Sequence, residues 1–458
     1  MRKNRLFIIC ALCAVITAPL LSGAPKAKAK TKAKGGASVT MGTPQSLRLA
    51  IEDHIKSFGA AYPKGDQYLE RLGKLEAQLT ANDNSAVEEL ESLAREALLT
   101  NPLLNFEKLM VRKTMGLGLP ANWQGNSSLS RKGKYDNEIS TLSPIDPTGV
   151  LTHLYRPEST ADFVGDIELH FDAARMLFSR LDASGWGIWE IGVDGSGLRK
   201  LPLIEVEGIH NYDACYLSDD NIVFTSTAPM TGVPCVGGSS HVANLYHFDT
   251  RTKKIRRLTF DQDHDWNPVV LNSGRVMYQR WEYSDISHAW SRILFSMNPD
   301  GTDQTGYYGS NSYWPNAMFY ARPVPGAEGK FVAIVSGHHG LKRMGELVLF
   351  DANKGRFEAD GVVQRIPGRG KQVEPVITDN VAGRSWPRFL HPWPLNDKYF
   401  LVAAQPSNKD KWGIYLVDTF DNVTLVKDDP THHLLEPVPV ARTPRPPVIP
   451  TRVDLKRK

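Results

Sequence analysis

A repeated strand-and-turn unit constrains this chain more than any other feature. Five times, two apolar residues at alternate positions run into a polar turn: Ile191/Val193 before Asp194, Tyr246/Phe248 before Asp249, Phe295/Met297 before Asn298, Val348/Phe350 before Asp351, and Tyr415/Val417 before Asp418. The turn positions lie 55, 49, 53 and 67 residues apart. Self-similarity at such a period is the mark of a propeller or solenoid, not of a single-core enzyme fold.

Each unit has a second apolar strand upstream: Met176 to Ser179, Ile222 to Ser226, Val276 to Gln279, Phe331 to Ser336 and Tyr399 to Ala404. Polar, turn-prone segments precede these strands, including DAAR at 172–175 and SDDN at 218–221, as expected where antiparallel strands reverse. Three of the preceding strands open with Trp266, Trp314 and Trp386, read as blade-packing residues. No segment between the strands has the length or periodicity of a crossover helix, which disfavours a parallel sheet. The expected fold is mainly β: a β-propeller with five visible blades, six or seven in all, over residues 149–437. The segment VLTHLY (150–155) is expected to complete a blade by pairing with the C-terminal end, a closure that removes free edges.

Ahead of the repeats, apolar spacing is helical: Leu47/Ile51/Ile55/Phe58, Leu69/Leu72/Leu79 and Val87/Leu90/Leu93/Ala97. Three helices fit a unit at 44–115. Thr43 before Pro44 reads as a cap with a first-turn proline, and Ser85 with Glu88 as a capping box. Residues 116–148 read as a connecting loop and 438–458 as a Pro-rich basic tail.

Arg2, Lys3 and Arg5, an apolar run from Leu6 to Leu21, and small residues to Ala24 match a secretory signal over 1–24. A periplasmic or extracellular location is expected, with a Lys/Ala/Gly-rich linker at 25–43. The run is short for a membrane span, so no integral membrane protein is expected. The formal charge of +4 is carried by the ends. Residues 1–34 hold eight bases and no acid, and 442–458 six bases and one acid, leaving 40 bases against 49 acids between them. That body has no basic footprint for nucleic acid. With the signal removed, Cys215 and Cys235 remain. Export favours a disulfide closing a loop of about 20 residues, worth about 3 kcal/mol by loop entropy; two buried thiols are the other reading.

In an up-and-down blade, the connections from second to third strand and from fourth strand to the next blade share one face. On that face fall His210, Asp213, Cys235, His241, Asp263, His264, Asp265, Glu282, Tyr283, His288, Tyr313, His338, His339 and Arg384. Six of the thirteen histidines are among them and none is expected in the opposite turns. This is the candidate ligand face. His264, His338 and His339 are the candidate ligands for a divalent metal, because imidazole beside carboxylate suits metal or acid–base work, although their spacing matches no diagnostic motif. No G-x-S-x-G nucleophile elbow and no C-x-x-C-H haem motif occurs in the sequence.

The units resemble TolB-like, PD40-type propeller repeats. More specifically, DIELHFDAARMLFSR (166–180), YDACYLSDDNIVFTST (212–227), SGHHG (336–340), SWPRFLHPWPLNDKYFLVAA (385–404), GIYLVDTFDNVTLVKDDP (413–430) and RPPVIPTRVD (445–454) resemble the propeller part of hydrazine synthase alpha-subunit-like proteins, over about residues 85–458. In that family a cytochrome-like domain with c-type haem follows the propeller. No haem motif stands here, so the resemblance implies the propeller and not hydrazine-forming chemistry. The reading favoured is an exported, non-catalytic propeller that binds a partner protein, such as a separate cytochrome, or a small ligand. The alternative is a metal-dependent hydrolase, lyase or oxidoreductase using His264, Asp265, His288, His338 and His339. Convergence of at least three of these would favour the enzyme.

Overall fold

The structure, a computed structural model, describes residues 42–81, 83, 85–233, 236–281 and 292–454. Three helices lead: α1 (Pro44–Phe58), α2 (Gly65–Thr80) and α3 (Ser85–Leu99). The Thr43 hydroxyl accepts the Ser46 N–H, as the cap-and-proline pattern predicts. The expected capping box is replaced by a different device. Ser85 lies inside α3 and donates its N–H and hydroxyl to Asp83 Oδ1.

Among the described residues twenty-four strands follow: β1 (Leu109–Thr114), β2 (Asn137–Ser143), β3 (Val150–Tyr155), β4 (Phe163–Leu169), β5 (Arg175–Asp182), β6 (Gly185–Gly192), β7 (Arg199–Lys200), β8 (Asn211–Tyr216), β9 (Ile222–Ser226), β10 (Asn244–Phe248), β11 (Ile255–Arg257), β12 (Asp265–Val270), β13 (Val276–Trp281), β14 (Arg292–Met297), β15 (Thr305–Tyr308), β16 (Ala317–Pro323), β17 (Lys330–Ser336), β18 (Glu346–Asp351), β19 (Val362–Ile366), β20 (Arg388–Pro394), β21 (Tyr399–Gln405), β22 (Gly413–Asp418), β23 (Val423–Lys427) and β24 (His433–Pro439). They form six four-stranded antiparallel blades. Blades I to V are β4–β7, β8–β11, β12–β15, β16–β19 and β20–β23, and blade VI is β24-β1-β2-β3 from the axis outwards. A single parallel bridge between β14 and β16 joins blades III and IV.

Blade VI corrects two expectations. VLTHLY is its outermost strand, and the C-terminal strand β24 pairs β1, two places away. The propeller therefore begins at Leu109, inside the span read as helical, and part of the expected connecting loop is the strand β2. Closure is still the ring-joining kind that leaves no free blade edge at the axis.

Apolar faces of successive blades interlock as the core, with β21 and β22 almost wholly buried. The helices pack on blade V. Asp53 of α1 accepts from the Tyr399 hydroxyl at 2.7 Å and pairs with Lys398, while Asn422 donates to Ser46 O. These contacts fall on the lower face, which carries the connections from first to second and third to fourth strands. The C-terminal segment also lies there: Thr443 donates to Phe171 O, Arg445 to Ser218 O, and the Arg452 N–H to Asp300. It thus crosses blades I, II and III.

Candidate functional site

Every innermost strand carries an irregularity at the same place. The register slips between Gly165 and Glu168 in β4, Tyr212 and Ala214 in β8, Trp266 and Val269 in β12, Phe319 and Arg322 in β16, and Leu390 and Trp393 in β20. In β24 it falls opposite Met110 and Arg112. One residue at each slip has left-handed backbone: Asp166, Asp213, Asn267, Tyr320, His391 and Glu436, with φ between 50° and 55°. Such a bulge re-aims a side chain. For residues other than glycine this conformation costs on the order of 1–3 kcal/mol, and it recurs in all six blades. The six residues, with those that follow them, line a central cavity of about 70 Å³, room for a few water molecules.

The acids of this ring are tied down. Glu436, 6% exposed, pairs with the buried Arg112 at 2.7 Å and accepts the Ile167 N–H from the next blade at 2.9 Å. Asp213 accepts both the backbone and side-chain N–H of Asn267, at 2.6 and 2.8 Å, and burial still pushes its carboxyl up to about 6. Asp166 accepts from Asn126 at 2.8 Å. Burial, then the nearby charges of Asp213 and Glu436, pushes its carboxyl well above its ordinary value. Burial, reinforced by Arg112 and Arg322, keeps His391 a neutral imidazole.

Above the ring the channel is plugged. The connection from β1 to β2 crosses the upper face. Asn122, 1% exposed, donates to Gly337 O and Leu341 O and accepts the Arg343 N–H. The buried Arg343 side chain donates to Gln124 O and lies over the rings of Trp266 and Phe319. With Asn126 on Asp166, this one segment reaches blades I and IV from blade VI.

The residues singled out from the sequence divide sharply. Asp213 belongs to the ring. His264 is fully buried as a packing residue: Nδ1 accepts the Ala243 N–H at 3.1 Å, and its ring lies 4.7 Å from Trp266 and 5.9 Å from Trp281. Asp265, also fully buried, accepts from Arg280 at 3.0 Å. Asp263 is buried beside them. His210 Nδ1 accepts the Trp186 N–H, and burial lowers its basicity. His338 is buried, with its ring 4.1 Å from that of exposed His339, whose Nδ1 meets Asp379 at 2.6 Å. Tyr313 is exposed, and Arg384 lines a cavity of about 360 Å³ with Trp386 and Glu346. Glu282, Tyr283, His288 and Cys235 lie outside the described residues. Cys215 is a buried free thiol on β8.

Among the described residues, no three His, Cys, Asp or Glu side chains come together as a metal-holding group. Trp266 and Trp314 are buried as expected of blade-packing residues, whereas Trp386 is 38% exposed. The lower face does hold a histidine, contrary to expectation. His170 sits in the turn after β4, between Asp172 and Asp220 at 2.7 Å each. It follows directly on the last residue of its strand, so the sequence pattern merged it with β4.

Sequence reasoning missed Asp166, Asn267, Tyr320, His391 and Glu436. Their chemistry differs from blade to blade, so no motif joins them. The available signal was positional: Asn267-Pro268, His391-Pro392 and Glu436-Pro437 repeat a polar residue before proline in the first strand of the unit.

No family profile and no curated protein matches the sequence. Among solved structures, the fold is similar to Kuenenia stuttgartiensis hydrazine synthase, with TM-score 0.57 and 16% identity over 76% of this chain and 48% of that one. This chain thus spans about half the length of that relative. TolB from Acinetobacter baumannii matches with TM-score 0.46 and 10% identity, over 76% of this chain and 71% of that one. Among the described residues, no helix is long and apolar enough to cross a membrane.

Proposed function

We propose that this chain is an exported, non-catalytic propeller module that docks a partner protein on its upper face. One observation carries the reading. Of fourteen exposed large apolar side chains among the described residues, eight stand on upper-face connections: Met115, Val206, Met230, Phe260, Tyr313, Val376, Ile377 and Trp386. The lower face and tail carry three, Leu198, Phe357 and Val448. Apolar side chains gathered on one face are what a protein interface presents. On the same face, His264 and Asp265 serve packing and ion pairing instead of forming a reactive set. A cytochrome borne on another chain is the partner class that the resemblance to hydrazine synthase alpha-subunit-like proteins implies.

The test is photocrosslinking in the native cell. A photoreactive residue at Phe260 or Tyr313 is expected to give one defined protein adduct, and the same probe at Leu198 or Phe357 none. Equal, unselective labelling from both faces would defeat the proposal.

A further inference from the structure

The ring of bulge residues has two unlike halves. On blades VI, I and II, the carboxyls of Glu436, Asp166 and Asp213 are bonded to Arg112, Asn126, Asn267 and backbone N–H groups. Blades III, IV and V supply neutral groups left open. Asn267 Oδ1 and His391 Nδ1 are buried without a partner, and among the described residues no partner stands at the Tyr320 hydroxyl. The rings of Tyr320 and His391 lie 4.2 Å apart. Buried polar atoms are normally satisfied, so two open atoms on one wall of the cavity, with Tyr320 lining it beside them, mark a place for a ligand.

Below the ring, Arg322 of blade IV reaches Glu168 of blade I at 2.9 Å. These blades face each other across the axis, so the ion pair spans the channel. Arg322 is held from the side by the Trp393 ring of blade V, 4.4 Å away. The cavity is therefore bounded above by the plug and below by a latch of two opposite charges.

We infer that this chamber binds a small uncharged molecule carrying an N–H donor beside a carbonyl acceptor, of the primary carboxamide type, admitted when the Glu168–Arg322 latch opens. The chemistry selects the class. Asn267 Oδ1 only accepts, so the ligand must donate to it, whereas the Tyr320 hydroxyl can donate to the ligand's acceptor. In the cavity lining Arg322 is paired with Glu168, and the carboxyls of Asp166, Asp213 and Glu436 already accept hydrogen bonds, so an ion would lose its hydration without gaining an unengaged counter-charge. The site is separate from the upper-face docking surface and does not depend on it.

Acetate, acetamide and acetamidinium share one shape and differ in charge, so they are the probes. The thirteen histidines are labelled at ring carbon in the full chain, and the His391 signal is assigned with His391→Asn. Acetamide is expected to shift that signal saturably, with a Kd no tighter than roughly tens of micromolar for so few atoms. The two ions should bind at least about tenfold more weakly, and Tyr320→Phe should weaken acetamide by about tenfold. The double variant Glu168→Gln/Arg322→Gln should speed exchange of acetamide at the His391 signal. No saturable acetamide shift, or equal binding of all three probes, would overturn the chamber. Unchanged exchange in the double variant would overturn the latch. Should Tyr320→Phe fold poorly, the three probes on the natural chain decide.

Discussion

The two faces of the propeller follow opposite rules. On the lower face, short connections are held by their own acids: Asp172, Asp194, Asp249, Asp351 and Asp418 each accept the N–H two residues on. The chain's own helices and C-terminal segment also cover blades V and I to III there. On the upper face, connections run from two residues (183–184) to twenty-two (115–136), and apolar side chains face solvent. The lower face is thus specified locally, turn by turn. The upper face is free to vary, and it is where a partner can be met. Between the two, the ring at the axis carries the strain and the buried charge.

Breaking the ring should have the largest effect. Arg112 and Glu436 are 1% and 6% exposed, and they join the two ends of the propeller through the β1–β24 ladder. Arg112→Met leaves the Glu436 carboxylate buried without its cation and is expected to cost about 3–5 kcal/mol. Denaturant unfolding would show this as a lower midpoint. A loss within about 0.5 kcal/mol would mean that the ring is not where closure is secured.

Acid should next separate the lower-face covering from the rest. His54 of α1 is fully buried against Phe58, Tyr62 and Tyr399. Burial lowers its pKa from 6.5 to about 4. The unfolded chain therefore binds a proton that the folded chain refuses between those values, so stability is full above about pH 6.5 and falls as pH drops towards 4, by up to about 3 kcal/mol. His433, lowered to about 4, adds a slope of the same sign. Asp418, pushed up to about 7, acts oppositely, favouring the folded state as pH falls from 7 to its unfolded value near 4. His54→Phe should flatten the acid limb of a stability–pH curve without altering the neutral plateau by as much. An unchanged acid limb would refute the assignment.

Loosening the plug should cost less. Asn122→Ala leaves Gly337 O and Leu341 O without their donor, an expected loss of about 1–3 kcal/mol. Hydrogen exchange should rise over residues 116–128 and stay constant in the lower turns. A uniform rise would mean that the plug and blades open together.

How much of this was legible in the sequence follows from the same contrast. The lower-face acids, Asp194, Asp249, Asp351 and Asp418, were the repeat signal itself, because a turn acid acts on backbone two residues away and leaves a local mark. The sixth blade was only half legible. Its strands come from both ends of the described chain, and β2, Asn-Glu-Ile-Ser-Thr-Leu-Ser, has too little apolar alternation to announce a strand. The ring was illegible as chemistry, because backbone geometry makes its six positions equivalent while their side chains share nothing. His264 immediately precedes β12 and Asp265 opens it. Their burial could not be read, since imidazole packed under tryptophan looks the same in sequence as imidazole awaiting a metal.

The smallest expected change in stability is the most direct probe of the contrast between faces. Phe260 is 73% exposed on the upper face and Phe357 is 54% exposed on the lower, so Phe260→Asp and Phe357→Asp should each leave stability within about 0.5 kcal/mol. Arg257 lies over the Phe260 ring at 4.7 Å, and a carboxylate there keeps a favourable neighbour, so folding is spared. Partner capture by a photoreactive residue at Tyr313 should nevertheless be lost in Phe260→Asp and retained in Phe357→Asp, because a carboxylate in the middle of an apolar interface must give up its hydration. Loss in both variants would assign docking to neither face in particular, and retention in both would move the interface away from the upper rim.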